Sequence, residues 1–204
     1  MSSSTTGLEA TKSVAPKLVV GLGNPGGKYE HTRHNIGFDC LNRLHQAVGL
    51  APVQSKFESQ IAKGRLGHHD VVLAWPMTYM NCSGRAVAQI ARFYKIPAEF
   101  ILVVCDDLSL PLGKLRLRKS GTSGGQKGLD DVLKALATLD VPRLRIGIDA
   151  TPENLQTVDY VLSKFSKKER QVVEESLGYA LDAIQCWLVD GIDKAMNRFN
   201  AAKQ

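Results

Sequence analysis

The side chains suited to proton transfer near neutrality are few. Among five histidines, His34 stands apart, because it sits in the turn-like run TRHN between Arg33 and Asn35, shortly after the first apolar stretch. An imidazole titrating near pH 6.5 is the natural general base at physiological pH. His31, His45, His68 and His69 read as ordinary surface groups. Asp106 closes the apolar, beta-branched run FILVVCDD. A carboxylate there can accept from an imidazole N–H, fixing the tautomer and stabilising the imidazolium. A helix cap or a solvated loop acid is the plainer role, and Asp107 suits it better. Asn24 in GNPG and Asn81 in MNCSG each lie in a turn with small neighbours. Each carries a donor and an acceptor, fit for holding a carbonyl or orienting a water. Taken singly, each is explained as well by turn chemistry. No GxSxG elbow is present, which disfavours a covalent intermediate and leaves a His-activated water as the simplest hydrolytic route. Cys40, Cys82, Cys105 and Cys186 show no CxxC spacing. They predict neither a zinc site nor a disulfide framework, but thiols that mostly fill the core in a reducing compartment.

Two glycine-rich stretches raise the question of phosphate binding. In KLVVGLGNPGG, Gly21, Gly23 and Gly26 spell GxGxxG behind an apolar strand. A dinucleotide fold would then need a helix and a second strand ending in an acid about 20 residues on. The chain continues instead as KYEHTRHN and then the helix-like NRLHQAVG, so a tight turn projecting Asn24 into a cleft is the better reading. KSGTSGGQKG (119–128) precedes a helix and lacks the Gly-Lys-Ser/Thr of a P-loop. Its backbone N–H groups and the helix start still suit an anion. Lys114, Arg116, Arg118, Lys119 and Lys127 surround it, with Arg143 and Arg145 on the following strand, in a chain of net charge +6. That density predicts a phosphate-backbone footprint. A solvated edge strand defended by charge is the alternative.

These residues need elements to position them. The patterning predicts strands over 17–22, 58–63, 70–75, 100–107, 114–118 and 143–148, with the second and third joined by the turn GHH. KLRLR alternates strictly, leucines to one side and bases to the other, so Arg116 and Arg118 share a face. Helices are predicted over 35–48, 83–96 and 128–138, and over 166–202 with a break at Gly191. Strands alternating with helices imply an α/β fold. We expect a single-domain three-layer sandwich, a twisted, mixed and mostly parallel sheet flanked by helices, with the site beyond the carboxyl ends of the strands. Residues 16–204 form that domain and 1–15 a disordered tail, small and polar, in which Glu9 and the absence of arginine speak against organelle targeting. No apolar run approaches the roughly 20 residues of a membrane span, and the start has no secretory h-region, so a cytoplasmic protein is expected.

Several of these stretches together resemble the bacterial-type peptidyl-tRNA hydrolase family, from Lys17 to Phe199. The likeness is carried by GLGNPGGKYEHTRHNIGFD, PMTYMNCSGRAV, DDLSLPLGKLRLR, the loop GTSGGQKG and RLRIGI, in the family's order and spacing. The resemblance implies hydrolysis of the ester between a peptide and the 3′ end of tRNA, which recycles peptidyl-tRNA dropped by the ribosome. It implies a monomer without metal, cofactor or stable protein partner, binding the tRNA acceptor stem, with a mobile helical lid over the cleft. By the same resemblance His34 is the general base and Asp106 its supporting acid. Asn24 senses the blocked amino group, and Asn81 holds the peptide main chain. Tyr29 and Tyr79 are substrate contacts, and Arg118 and Arg145 clamp the 5′ phosphate, with Arg116 beside them. Where the family loop reads GGHNG, this chain reads GGQKG. Lys127 cannot accept a hydrogen bond when charged, so it is expected to meet a phosphate or the substrate backbone instead. Cys105 replaces a common histidine and is expected to face away from the site. The family also includes plant organellar splicing factors that bind RNA and a protein partner without hydrolysis, and that is the alternative function.

Overall fold

The computed structural model describes residues 15–201. The tail expected over residues 1–15 therefore falls, but for Ala15, outside the described residues.

A seven-stranded sheet forms the middle layer. In chain order its strands are β1 (Lys17–Gly21), β2 (Gln54–Lys56), β3 (Ser59–Leu66), β4 (His69–Pro76), β5 (Ile101–Asp107), β6 (Leu115–Arg118) and β7 (Arg143–Gly147). They lie in the order β2-β3-β4-β1-β5-β7-β6. The four central strands run parallel: β1 between β4 and β5, and β5 beside β7. The outer pairings, β2 with β3, β3 with β4 and β6 with β7, are antiparallel. The centre is parallel because its strands are apolar on both faces; every residue of β5 is buried.

Alternation along each strand sorts the core into two clusters. Val19, Leu102, Val104, Leu144 and Ile146 face one helical layer, made of α1 (Ile36–Val48), α5 (Lys167–Asp190) and α6 (Ile192–Asn200). Leu18, Val20, Val103 and Cys105 face the other, made of α2 (Ser83–Tyr94) and α3 (Lys127–Leu136). This is the expected three-layer sandwich. The leucines of β6 face the α6 layer, and Asn200 of α6 closes the strand's outer edge by bonding both the N–H and the C=O of Leu117 (2.8 and 3.0 Å). The break at Gly191 between α5 and α6 is as expected, and its φ of 88° explains it.

Some boundaries differ from the sequence expectation. α2 and α3 stop at Tyr94 and Leu136 because Lys95 and Ala137 adopt left-handed caps. Two short elements have no predicted counterpart. β2 is three exposed polar residues, held only by pairing with β3. α4 (Thr157–Val161) is too short to show helical periodicity.

Gly21, the first glycine of GxGxxG, has a packing role. A Cβ on Gly21 would collide with the carbonyl of Gly37 in α1, and one on Gly37 would lie 2.5 Å from the Leu22 nitrogen and the Val104 oxygen. The first turn of α1 thus rests directly on the backbone of β1 and β5. That close approach sets the height of the turn Arg33–Asn35, which immediately precedes α1.

Candidate active site

A cavity of about 550 Å³ opens beyond the carboxyl ends of β1 and β5. His34, Asp106, Asn24 and Asn81 all line it, as do Tyr79, Lys127 and Arg145. Two apolar residues of α4, Val158 and Val161, form part of the wall beside them.

Each residue of TRHN is tied to a different part of the fold. Thr32 donates to the Tyr29 carbonyl (2.8 Å) and bridges to Lys164. Arg33 is buried, its guanidinium stacked between the rings of Tyr160 (4.3 Å) and Phe165 (4.7 Å), and it bonds Glu169 at 2.7 Å. Glu169 also completes the capping box with Ser166 at the start of α5. Asn35 pairs with Asn24 in both directions: its Oδ1 accepts from the Asn24 N–H and its Nδ2 donates to the Asn24 carbonyl, both at 2.9 Å. His34, held between these anchors, places Nδ1 2.9 Å from Asp106 Oδ2.

The orientation of the acid is set from the far side. Asp106 ends the buried strand β5 with 3 % of its surface exposed. Its Oδ1 accepts from Gln126 Nε2 at 2.9 Å. Gln126 is the N-cap of α3, and its Oε1 takes the Leu129 N–H at 2.7 Å. Because a backbone N–H must meet the amide oxygen, the amide nitrogen necessarily faces Asp106. An ionised Asp106 can only accept, so the proton between it and His34 belongs on Nδ1. Nε2 of a neutral imidazole is then the unprotonated, basic nitrogen. The same logic fixes Asn24: Met80 N–H donates to its Oδ1 at 2.8 Å, so its Nδ2 is the outward donor.

The basic side is divided. Arg116 and Arg118 share a face of β6, opposite Arg145 and Arg143 of β7 in register, and neither lines the cavity. Arg145 does, while its Nε lies 2.8 Å from Asp107 Oδ2. Lys127 is exposed at the cavity wall as the first residue of α3. Two expectations are corrected. Arg143 is no part of a surface patch: it is 2 % exposed and donates to the carbonyls of Gly121 and Leu139, tying down the glycine loop. Burial pushes its pKa down. Asp107 is no solvated loop acid: it is buried, pairs with Arg145 and accepts from the N–H and hydroxyl of Ser109.

Other expected residues scatter. Tyr79 stands 60 % exposed at the cavity rim. Tyr29 does not reach the cavity; it ends the short turn Gly27–Tyr29 with the Lys28 ammonium over its ring. His31 is a surface group as expected, with its Nδ1 3.0 Å from the buried Asp39. Cys105 faces the α2/α3 layer, away from Asp106, and burial raises the pKa of its thiol. Burial likewise pushes the Cys40 thiol up to about 12, and of the four cysteines only Cys82 is exposed. In the sequence Gln126 stands out only as a departure from the family loop GGHNG. Its position directly before a helix start was the available signal. No group of three or more His, Cys, Asp or Glu among the described residues is arranged to hold a metal.

The comparisons with known proteins point one way. The sequence profile of the family described as "Peptidyl-tRNA hydrolase" matches residues 18–204. The chain is 48 % identical over 186 residues to the peptidyl-tRNA hydrolase of Rhodopirellula baltica, covering 91 % of this chain and 98 % of that protein. It is 44 % identical to that of Clostridium acetobutylicum, with the same shares covered. A crystal structure of peptidyl-tRNA hydrolase from Acinetobacter baumannii superposes with a TM-score of 0.87 at 35 % identity, covering 93 % of this chain and 96 % of that one. With fold and sequence in agreement over nearly its whole length, the chain belongs to the peptidyl-tRNA hydrolase family.

Proposed function

We propose that the protein hydrolyses the ester joining a peptide to tRNA, with His34 as general base acting on water. The observation that carries this reading is the His34 Nδ1 to Asp106 Oδ2 contact of 2.9 Å, in a cavity that also presents the Asn24 amide. His34 Nε2 takes a proton from water as its oxygen attacks the ester carbonyl carbon. Asp106 holds the tautomer and stabilises the imidazolium. The tetrahedral intermediate collapses with cleavage of the bond to the ribose oxygen, and the imidazolium returns the proton to that oxygen. Free peptide acid and tRNA leave. No covalent enzyme intermediate and no cofactor enters these steps.

Selectivity follows from what Asn24 can offer. Its Oδ1 is already occupied by the Met80 N–H, so Nδ2 is the group left to meet substrate. A peptide or other acyl block supplies a carbonyl oxygen to accept from it. The ammonium of an unblocked aminoacyl-tRNA has only donors, and its binding would leave Nδ2 unpaired. Asn81 holds the peptide main chain at the rim. Lys127 and Arg145 supply positive charge for the tRNA end, with Arg116 and Arg118 farther out along the same face. One chain supplies every group named, so a monomer suffices. Among the described residues no helix is long and apolar enough to cross a membrane, and the reaction belongs in the compartment that holds ribosomes, the cytoplasm.

The test is hydrolysis of an N-acetylated aminoacyl-tRNA, beside the unblocked aminoacyl-tRNA and the His34→Ala variant. Cleavage of the blocked substrate alone, lost in the variant, is the expected result. Tight tRNA binding without cleavage would instead favour a non-hydrolytic RNA-binding protein.

A further inference from the structure

Arg33, the residue before the base, is fastened by one short stretch of chain. Its guanidinium lies between the rings of Tyr160 and Phe165, its Nε donates to the Ser163 hydroxyl at 3.3 Å and its Nη2 to Glu169. Its backbone N–H donates to the Ser163 carbonyl at 3.0 Å. Thr32 bridges to Lys164 alongside. These partners all come from the end of α4, the start of α5 and the few residues between.

Folding alone does not call for a cation there. Arg33 is buried, its Nη1 has no partner, and the carboxylate it meets, Glu169, is partly exposed. A buried ion pair of this kind can often be exchanged for apolar side chains without loss of stability. Arg33 does not line the cavity either, so contact with substrate is not its task. What it holds is α4. That helix has five residues, too few to be stable by itself. The Tyr160 hydroxyl ties it to the Ile148 carbonyl at 2.6 Å, and the Ser163 hydroxyl donates to the Tyr160 carbonyl at 2.7 Å. Its Val158 and Val161 line the cavity, and Val158 is 55 % exposed. One helical turn thus offers apolar surface to the substrate space and an aromatic ring to Arg33.

We propose that Arg33 is a positioning residue that ties α4 to the catalytic turn, so that substrate resting on Val158 and Val161 holds His34 in its contact with Asp106. This rests on the hydrolytic reading above. Force on α4 reaches Tyr160 and Ser163, passes to the guanidinium packed on them, and ends at the neighbouring residue, whose Nδ1 must stay 2.9 Å from Asp106. Contact made at α4 then raises kcat instead of only lowering KM.

The experiment is a double-mutant cycle read on N-acetyl-aminoacyl-tRNA, with kcat and KM measured separately. Arg33→Lys keeps the charge and loses the planar, stacked fork. Val158→Ala trims an exposed side chain and leaves the core alone. Arg33→Lys should lower kcat roughly tenfold, as a small misplacement of the base would, with KM within about twofold. Val158→Ala should lower kcat a few-fold in the unaltered protein, and in the Arg33→Lys background it should act on KM alone. Phe165→Leu, which removes one face of the stack and keeps an apolar side chain, should repeat the pattern and serves if Arg33→Lys does not fold. An unchanged kcat in both Arg33→Lys and Phe165→Leu would overturn the coupling. So would a Val158→Ala effect on kcat that is absent from the unaltered protein, or of the same size in both backgrounds. The hydrolytic reading survives those results as long as the unaltered protein cleaves the substrate. If it does not, both fall.

Discussion

The acid–base centre and the basic margin lie on one sheet and are built in opposite ways. His34, Asp106, Asn24 and Gln126 are each held by hydrogen bonds, with partners drawn from four separate segments. Arg118, Lys119 and Lys127 are exposed. Proton transfer depends on tenths of an ångström and on which nitrogen carries the proton, so that geometry has to exist before substrate arrives. Attraction of a polyanion depends on summed charge over several ångströms, and flexible cations serve it well. Losses in the first region should therefore be large and fall on kcat. Losses in the second should be small, additive and dependent on salt.

The largest effect is expected from His34→Ala, a loss of roughly 10²–10⁴-fold in kcat with tRNA binding retained. A rate within twofold of the unaltered protein would remove His34 from the mechanism. Asp106→Asn should cost about 10²-fold or more in kcat, with little change in KM, because the tautomer is no longer fixed. Gln126→Leu takes one hydrogen bond from Asp106 and the cap from α3. Its kcat should fall about five- to tenfold, as one such bond implies, and a loss confined to KM would assign Gln126 to binding. On the other side, Arg118→Glu should raise KM a few-fold and lower the salt slope of binding by about one to two charges. Arg145→Glu should cost more, since it also strands Asp107. Arg143→Ala should instead lower the melting temperature by several degrees with a nearly unchanged salt slope, because it anchors the glycine loop.

The smallest effect concerns Glu169, in the first turn of α5. Burial works to raise its pKa, but hydrogen bonds from Ser166 and Arg33 outweigh this and hold it below the ordinary 4.5. A depressed carboxylate contributes stability that is present above pH 4.5 and lost as pH falls through the lower folded value. Glu169→Gln should accordingly show a shallower fall in melting temperature below that pH. An identical acid profile in both proteins would mean the Arg33–Glu169 pair contributes nothing to folding.

The sequence exposed the parts of the site that depend on local order and concealed those that depend on faces. His34 follows a strand in a polar turn, and Asp106 ends the most apolar run, so their placement could be read from position alone. Strand alternation put Arg116 and Arg118 on one face of β6. It does not say how far the covering layer extends, and so Arg143 was expected at the surface when the glycine loop and Leu139 cover it. Asp107 misled in the same way, because its partner comes from a strand 38 positions later in the chain. The sheet was legible as mixed and mostly parallel, yet placing β7 between β5 and β6 needs contacts that have no local signature. Gln126 was hidden by doing two things at once. A cap residue looks complete with its helix, and nothing nearby announces the second hydrogen bond to Asp106.

The contact between Gly21 and Gly37 has an evolutionary consequence. Each forbids a side chain because the other's segment is in the way, so the two positions do not vary independently. Once either gains a methyl group, the helix has already lifted from the strand, and the second change should do less harm than it would alone. The harm would be read as lost turnover, since α1 carries the TRHN turn with it. A glycine signature that resembles a cofactor fingerprint would then be inherited as a spacer, keeping a helix at the distance from a sheet at which a histidine reaches its acid.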